Sequence, residues 1–131
     1  MSDRTPATRK RRTRTRRTAG RLSSEVGQRL DWLVSVLGSN RVADLLGVSR
    51  SQPSRWRSGA EGITSHNQRA LIDLDYVVVR LHQLWVPEVA AIWLESPNAH
   101  LGGATPIDVL RLRGAGALIH AIDAEAQGAY A

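Results

Sequence analysis

Apolar residues recur every three or four positions along most of the chain, which is the spacing of one face of an α-helix. The longest such stretch covers residues 65–86. Its apolar stripe consists of Leu71, Leu74, Val78, Leu81 and Trp85. No strand pattern competes with these helical signals. The pattern therefore predicts an all-α fold.

Small polar residues, prolines and glycines mark where the helices begin and end. Ser, Thr and Pro favour the first positions of a helix, and Gly favours the position after its last turn. Thr105 is predicted to cap one helix, with Asp108 bonding back to it. The chain then holds about seven helices, with a loop at 60–64 and an ordered turn at 96–104. The first helix is capped by Ser23 or Ser24 and ended by Gly38, a short one lies between Ser39 and Gly47, and another lies between Ser49 and Gly59. The remaining helices cover residues 65–86, 87–95, 106–113 and 117–126.

The first 22 residues differ from the rest of the chain in charge. Residues 1–21 hold nine Arg or Lys against one acid, a net charge of +8, whereas residues 22–131 carry a net charge of −2. The tail has almost no apolar residue with which to offset the entropy of ordering, so residues 1–22 are expected to be disordered. Four interpretations of the tail are open. It adds contacts to DNA, it keeps the protein soluble, it contacts RNA, or it results from a start codon assigned too far upstream.

Composition limits the class of protein. The chain has no cysteine, which excludes disulfides and thiolate metal sites. It also lacks an apolar run of about 18–20 residues that could span a bilayer. About 110 residues remain outside the tail, enough for one compact unit. We expect a cytoplasmic protein.

Residues 40–59, NRVADLLGVSRSQPSRWRSG, have the spacing of a helix-turn-helix. Ala43 allows two helices to approach closely, Gly47 suits the turn, and Ser49 is predicted to cap the second helix. Pro53 and Trp56 then face the core. The residues predicted to contact DNA are Arg50, Ser51, Gln52, Ser54, Arg55 and Arg57. The alternative is a pair of packed helices with a solvated arginine surface.

This segment resembles the Xre-type helix-turn-helix of phage repressors and many antitoxins. The resemblance assigns residues 23–70 to a DNA-binding region and implies operator DNA as a partner. Pro53 departs from that family, which usually has a β-branched apolar residue there. At the fourth position of a helix that begins after Ser49, a proline removes one backbone donor and crowds the Ser49 carbonyl. Either the helix start absorbs the proline, or insertion into a DNA groove is altered or lost.

The segment WLESPNAHLGGATPIDVLRLRGAGALIHAI covers residues 93–122. Its W-L, P-N, L-G-G and T-P groups, followed by a leucine and a glycine turn, resemble the C-terminal domain of the Xre/MbcA/ParS-like antitoxins. The resemblance implies a helix-turn-helix joined by a long helix to a small helical toxin-binding domain at residues 71–131. The residues implied to bind the toxin are Trp93, Pro97, Asn98, Leu101, Gly102, Gly103, Thr105 and Pro106.

The resemblance also implies a function. Members of the family are antitoxins of type II modules. Their partner is a RES-domain toxin that destroys NAD⁺, and the antitoxin covers the entrance to the toxin's active site. Residues 73–131 carry a net charge of −4, which suits a lid over a basic nucleotide pocket but equally an ordinary solvated surface. We expect a homodimer that reads two DNA half-sites. The competing hypothesis is a stand-alone transcription regulator whose C-terminal domain dimerises or senses a signal.

The chain ends in Tyr130 and Ala131 after a short glycine-containing stretch. Tyrosine is a frequent interface anchor, because its ring fills a pocket with little loss of side-chain entropy. The ring of Tyr130 or the carboxylate of Ala131 is therefore predicted to enter the toxin's NAD⁺ entrance. The alternative is a frayed terminus, as at most chain ends.

The sequence carries no catalytic motif that we recognise. Its histidines, His66, His82, His100 and His120, lie at least sixteen residues apart. Asp73 and Asp75 diverge on a helix and cannot act as a paired acid and base. Phosphate-binding loops and nucleophile elbows are absent from the sequence. We expect no enzymatic activity and no cofactor.

Overall fold

The structure is a computed structural model that describes residues 19–129. Seven α-helices lie in this part of the chain. They are α1 (Ser24–Leu37), α2 (Ser39–Leu46), α3 (Gln52–Ser58), α4 (Ser65–His82), α5 (Pro87–Glu95), α6 (Pro106–Arg113) and α7 (Ile119–Ala129). Two short 3₁₀ helices, Ala99–Leu101 and Ala115–Leu118, precede α6 and α7. The predicted all-α class is confirmed. The predictions for the Arg-rich tail up to residue 18, and those for Tyr130 and Ala131, lie outside the described residues.

The predictions of a loop at residues 60–64 and of disorder through residue 22 were wrong, because a short strand pair joins these two segments. Strand β1 (Ala19–Gly20) pairs antiparallel with β2 (Ile63–Thr64), with Ala19 opposite Thr64 and Gly20 opposite Ile63. Two residues are too few to show the alternation by which a strand is recognised in a sequence. The pairing also joins segments on either side of three helices, so no local signal could have indicated it.

Two predicted helix ends were also wrong. Helix α4 ends at His82 instead of Val86, because Val86 adopts an extended conformation (φ −65°, ψ 158°) before Pro87. A residue that precedes proline is disfavoured from the helical region, so the helix must end earlier. Helix α7 begins at Ile119, after the 3₁₀ helix Ala115–Leu118, and continues through Gly128 to Ala129. Of the two serines predicted to cap α1, Ser23 does so, since its hydroxyl accepts from the Val26 N–H. Thr105 caps α6 as predicted, but the Asp108 carboxylate lies near Arg111 and does not bond back to Thr105.

One hydrophobic core runs through the described residues. Leu30 and Leu33 of α1 pack with Leu71 and Leu74 of α4, and all four are fully buried. The same core includes side chains from the later helices: Ala90, Leu94, Ile107, Leu110, Leu118 and Ile122. The predicted division at residue 70 falls inside α4. The two predicted regions are therefore packed together, and their division remains a prediction about function.

Among the described residues, no helix is long and apolar enough to cross a membrane.

Candidate functional site

Helices α2 and α3 are joined by a turn at residues 47–51, in which Gly47 and Ala43 take the roles predicted for them. Gly47 takes the left-handed conformation (φ 71°, ψ 30°), which a side chain would strain. The Val48 N–H donates to the Ala43 carbonyl at 3.0 Å, and Ala43 is fully buried. A small buried residue at this position allows α2 to pack closely against its neighbours.

The third helix begins later than the sequence indicated. Ser49 does not cap it, since α3 starts at Gln52 and residues 49–51 form a turn in which the Gln52 N–H donates to the Ser49 carbonyl at 3.0 Å. Pro53 is therefore the second helical residue, not the fourth. The first turn of a helix leaves its N–H groups without intrahelical partners, so proline costs little there. Pro53 is buried, as is Trp56, and both face the core as predicted.

We call the six predicted DNA-contacting residues, which lie on α3 and the turn before it, the arginine face. It consists of Arg50, Ser51, Gln52, Ser54, Arg55 and Arg57, all exposed except Gln52, which is half-buried. Their shared exposure is the property that such binding requires.

Each arginine of the arginine face is paired with a carboxylate in the free chain. Arg50 makes two bonds to Asp44, at 3.2 and 3.0 Å. These bonds and the Asp44 charge raise the pKa of Arg50 above its ordinary value. The other pairs are Arg55 with Glu61 at 3.6 Å and Arg57 with Asp31 at 2.7 Å. Exposed pairs contribute little to stability, so these guanidinium groups can exchange a carboxylate for a phosphate at low cost.

The turn between α5 and α6 is organised by Asn98. Its side chain is buried and accepts from the His100 N–H at 2.9 Å, and its main-chain N–H donates to the Ala104 carbonyl at 3.0 Å. Gly102 and Gly103 then take left-handed conformations, with φ of 66° and 88°. The Leu-Gly-Gly motif is thus required by the path of the backbone, whatever it contacts.

The residues implied to bind the toxin differ in exposure. Pro97, Gly102 and Gly103 are exposed, and Trp93, Leu101 and Thr105 are half-buried. Asn98 and Pro106 are buried, so they shape the turn and the start of α6 rather than offering a surface. Asp108 donates its N–H to the Thr105 hydroxyl at 3.3 Å, and its carboxylate lies 3.8 Å from Arg111.

The last helix is fixed to the body of the protein by two polar contacts. Arg80 of α4 bonds to Asp123 at 3.0 Å, and the Trp93 indole N–H donates to Glu125 at 3.1 Å. Leu118 and Ile122 are buried beneath these contacts. Residues up to Glu125 are therefore held in place, and Gln127 and Gly128 beyond it are exposed.

Sequence reasoning gave no role to Arg111, although this residue joins the two regions. Its Nε donates to the Leu45 carbonyl at 2.9 Å, and its Nη2 donates to the Asp44 carbonyl at 2.7 Å. The bonded residues lie 66 and 67 positions apart in the chain. Only the arginine itself is visible in the sequence, and an arginine near the end of a helix is common.

Residues 19–129 contain no group of three or more His, Asp or Glu side chains that could hold a metal ion. All four histidines are exposed. His82 packs edge-on against Trp32, with ring centroids 6.3 Å apart.

Comparison with known proteins identifies the family. Residues 80–128 match the model of the antitoxin Xre/MbcA/ParS C-terminal toxin-binding domain. The chain is 30% identical over 89 residues to the mycobacterial cidal antitoxin MbcA of Mycobacterium bovis, an alignment that covers 68% of this chain and 79% of that protein. The same figures hold for MbcA of Mycobacterium tuberculosis. This chain belongs to the Xre/MbcA/ParS-like antitoxin family.

The family assignment extends to the fold. The structure resembles a chain in the crystal structure of the M. tuberculosis MbcT–MbcA toxin–antitoxin complex, with a TM-score of 0.64 and 26% identity. The match covers 81% of this chain and 97% of the other. Residues 10–67, which include α1 to α3, separately match the model of the bacteriophage CII protein. The MbcA likeness thus extends well beyond the C-terminal segment that matches the toxin-binding domain.

Proposed function

We propose that this chain is the antitoxin of a type II toxin–antitoxin module and that it neutralises a RES-domain toxin that degrades NAD⁺. The observation that carries the proposal is the match of residues 80–128 to a toxin-binding domain. The similarity to a chain of the MbcT–MbcA toxin–antitoxin complex supports it independently. The antitoxin acts by covering the toxin's active site with its C-terminal region, and it works in the cytoplasm as a homodimer and in complex with the toxin.

The charges of the C-terminal region support this mode of action. Four of its carboxylates make contacts inside the protein: Asp75 with Arg29, Asp108 with Arg111, Asp123 with Arg80 and Glu125 with Trp93. Glu88 and Glu95 of α5 are exposed. Neither side chain makes an ion pair with the described residues, and Glu95 lies within the Trp93–Pro106 segment. A negative surface complements a toxin pocket that binds the pyrophosphate of NAD⁺.

The experiment is affinity purification of the tagged full-length chain from its native host, followed by mass spectrometry. Recovery of a RES-domain protein is expected. Its absence, with the tagged chain expressed and folded, would contradict the antitoxin proposal and favour the stand-alone transcription regulator.

The proposal includes repression of the antitoxin's own operon through the arginine face. A dimer presents two copies of α3, which suits two half-sites about one helical turn of DNA apart. Pro53 is compatible with this arrangement, since it occupies the first turn of α3 and is buried away from the arginine face.

Arg55→Ala is expected to weaken binding to the operator by about 1–3 kcal/mol if this side chain reads a base. Arg113→Ala is the control, because Arg113 is an exposed arginine outside the arginine face. Binding is measured by fluorescence anisotropy on operator and random duplexes at fixed salt. Equal losses of operator binding in the two variants would contradict the prediction that Arg55 reads a base.

A further inference from the structure

Arg111 lies on α6, inside the segment that matches the toxin-binding domain, yet its side chain binds α2. Its guanidinium donates to the carbonyls of Asp44 at 2.7 Å and Leu45 at 2.9 Å. It also packs over the turn, since a Cβ placed on Gly47 would lie 3.4 Å from the Arg111 Cζ. The side chain thus covers the end of α2 and the first residue of the turn that leads to α3.

The chemistry of a helix end makes this contact strong. The last carbonyls of a helix have no intrahelical donor and carry partial negative charge. A guanidinium offers several donors in a fixed planar arrangement, and charge-assisted hydrogen bonds are stronger than neutral ones. The last turn of α2 contains no basic residue. Arg111 therefore supplies positive charge and hydrogen-bond donors at the end of this helix.

The same stretch of backbone holds a residue of the arginine face. Asp44 accepts from Arg111 through its main-chain carbonyl and from Arg50 through its side chain. The Gly47 N–H also donates to the Asp44 carbonyl at 3.1 Å. Arg111, the end of α2 and Arg50 are consequently linked through a single residue.

We propose that Arg111 is a positioning residue for DNA binding. It fixes the turn before α3 and thereby the position from which Arg50 approaches DNA. This inference rests on the proposed DNA-binding function. The unit that reads DNA then extends beyond residues 23–70 and includes part of the toxin-binding domain.

The test compares Arg111→Met with Arg113→Met in the full-length protein. Both variants remove one positive charge from α6, but Arg113 makes no hydrogen bond or ion pair with the described residues, so only the first loses the contact to α2. The operator preference is the ratio of the Kd for a random duplex to the Kd for the operator at the same salt. Arg111→Met is expected to lower this preference about 10-fold. Arg113→Met is expected to leave it unchanged.

Arg111→Lys is the second variant, because it keeps the charge and the apolar stem but cannot make both bonds in the same geometry. An intermediate preference is expected. Amide hydrogen exchange supplies a readout that needs no DNA: faster exchange of Gly47 and Val48 is expected in Arg111→Met and not in Arg113→Met.

Three results would overturn the inference. The first is an unchanged preference in Arg111→Met with no loss of binding, and the second is an unchanged preference because binding to the operator and to random DNA weakens equally. The third is a lysine variant that behaves as the wild type while the methionine variant unfolds. Failure of the wild type to prefer any operator would instead overturn the proposed DNA binding. The exchange rates of Gly47 and Val48 would then decide whether Arg111 fixes the turn.

Discussion

At the scale of single residues, a charged pair joins the first helix to the long helix α4. Asp75 is only 7% exposed, and its carboxylate accepts from Arg29 at 2.8 Å. The bond to Asp75, followed by the bond to Glu25, raises the pKa of Arg29 above its ordinary value. Removing the cation leaves a buried carboxylate without its partner, which costs more than the pair contributes when intact.

Arg29→Met is accordingly expected to lower the free energy of unfolding by about 1–3 kcal/mol. Glu25→Gln breaks the exposed ion pair between Glu25 and Arg29. This variant is expected to change the free energy of unfolding by less than about 0.5 kcal/mol. Urea denaturation followed by circular dichroism measures both. Similar losses of unfolding free energy in the two variants would show that Arg29 does not stabilise the buried Asp75 carboxylate.

The sequence revealed residues whose role depends on local spacing and missed those whose role depends on distant partners. The exposure of Arg55 and the burial of Pro53 and Trp56 follow from helical periodicity, and the structure confirms them. Arg50 is exposed as predicted, but it lies in the turn before α3. The contact of Arg111 with α2 depends on how two helices pack across the core, which no local pattern encodes. Whether the exposed residues bind DNA or toxin remains a prediction.

At the scale of elements, most helices could be predicted because each begins and ends with a local signal. The hydroxyls of Ser23 and Thr105 cap their helices, and the backbone N–H of Gly38 donates back to the last turn of α1. The start of α3 was misplaced because Ser49 looks like a cap, whereas the chain uses residues 49–51 as a turn. The β1–β2 pair was missed because it is held by two segments far apart in the chain.

This strand pair gives the basic tail a fixed attachment point. Residues 19 and 20 pair with Thr64 and Ile63, directly before α4 and close after α3 in the chain. Deleting residues 1–18 retains this attachment and removes eight of the nine basic residues in the first 21. The slope of log Kd against log salt is expected to flatten, by about 0.9 for each lost phosphate contact, with sequence preference largely kept. An unchanged slope, measured by anisotropy titrations over a salt series, would exclude the tail from DNA contact.

At the scale of the whole molecule, one core joins two helices whose exposed charged residues have opposite signs. The arginine face lies on α3 and its preceding turn, whereas the exposed acids Glu88 and Glu95 lie on α5. Helix α4 contributes to the core along most of its length and packs with both regions. The residues proposed to bind DNA and those proposed to face the toxin therefore lie on different helices of one packed body.

The fixed part of α7 allows the neutralising end to be tested without unfolding the rest. Truncation after Glu125 keeps the contacts of Asp123 with Arg80 and of Glu125 with Trp93. It also keeps the buried Leu118 and Ile122. The truncated chain is expected to fold and to bind DNA as the full-length chain does.

The most direct test of the account is the rate of NAD⁺ consumption by the purified partner toxin, titrated with the full-length chain and with the chain truncated after Glu125. The account predicts that the full-length chain stops NAD⁺ loss near stoichiometric amounts and that the truncated chain leaves the toxin active. Full inhibition by the truncated chain would move the interface to the Trp93–Pro106 segment. Undiminished NAD⁺ loss with excess full-length chain would contradict the central claim that this protein neutralises the toxin.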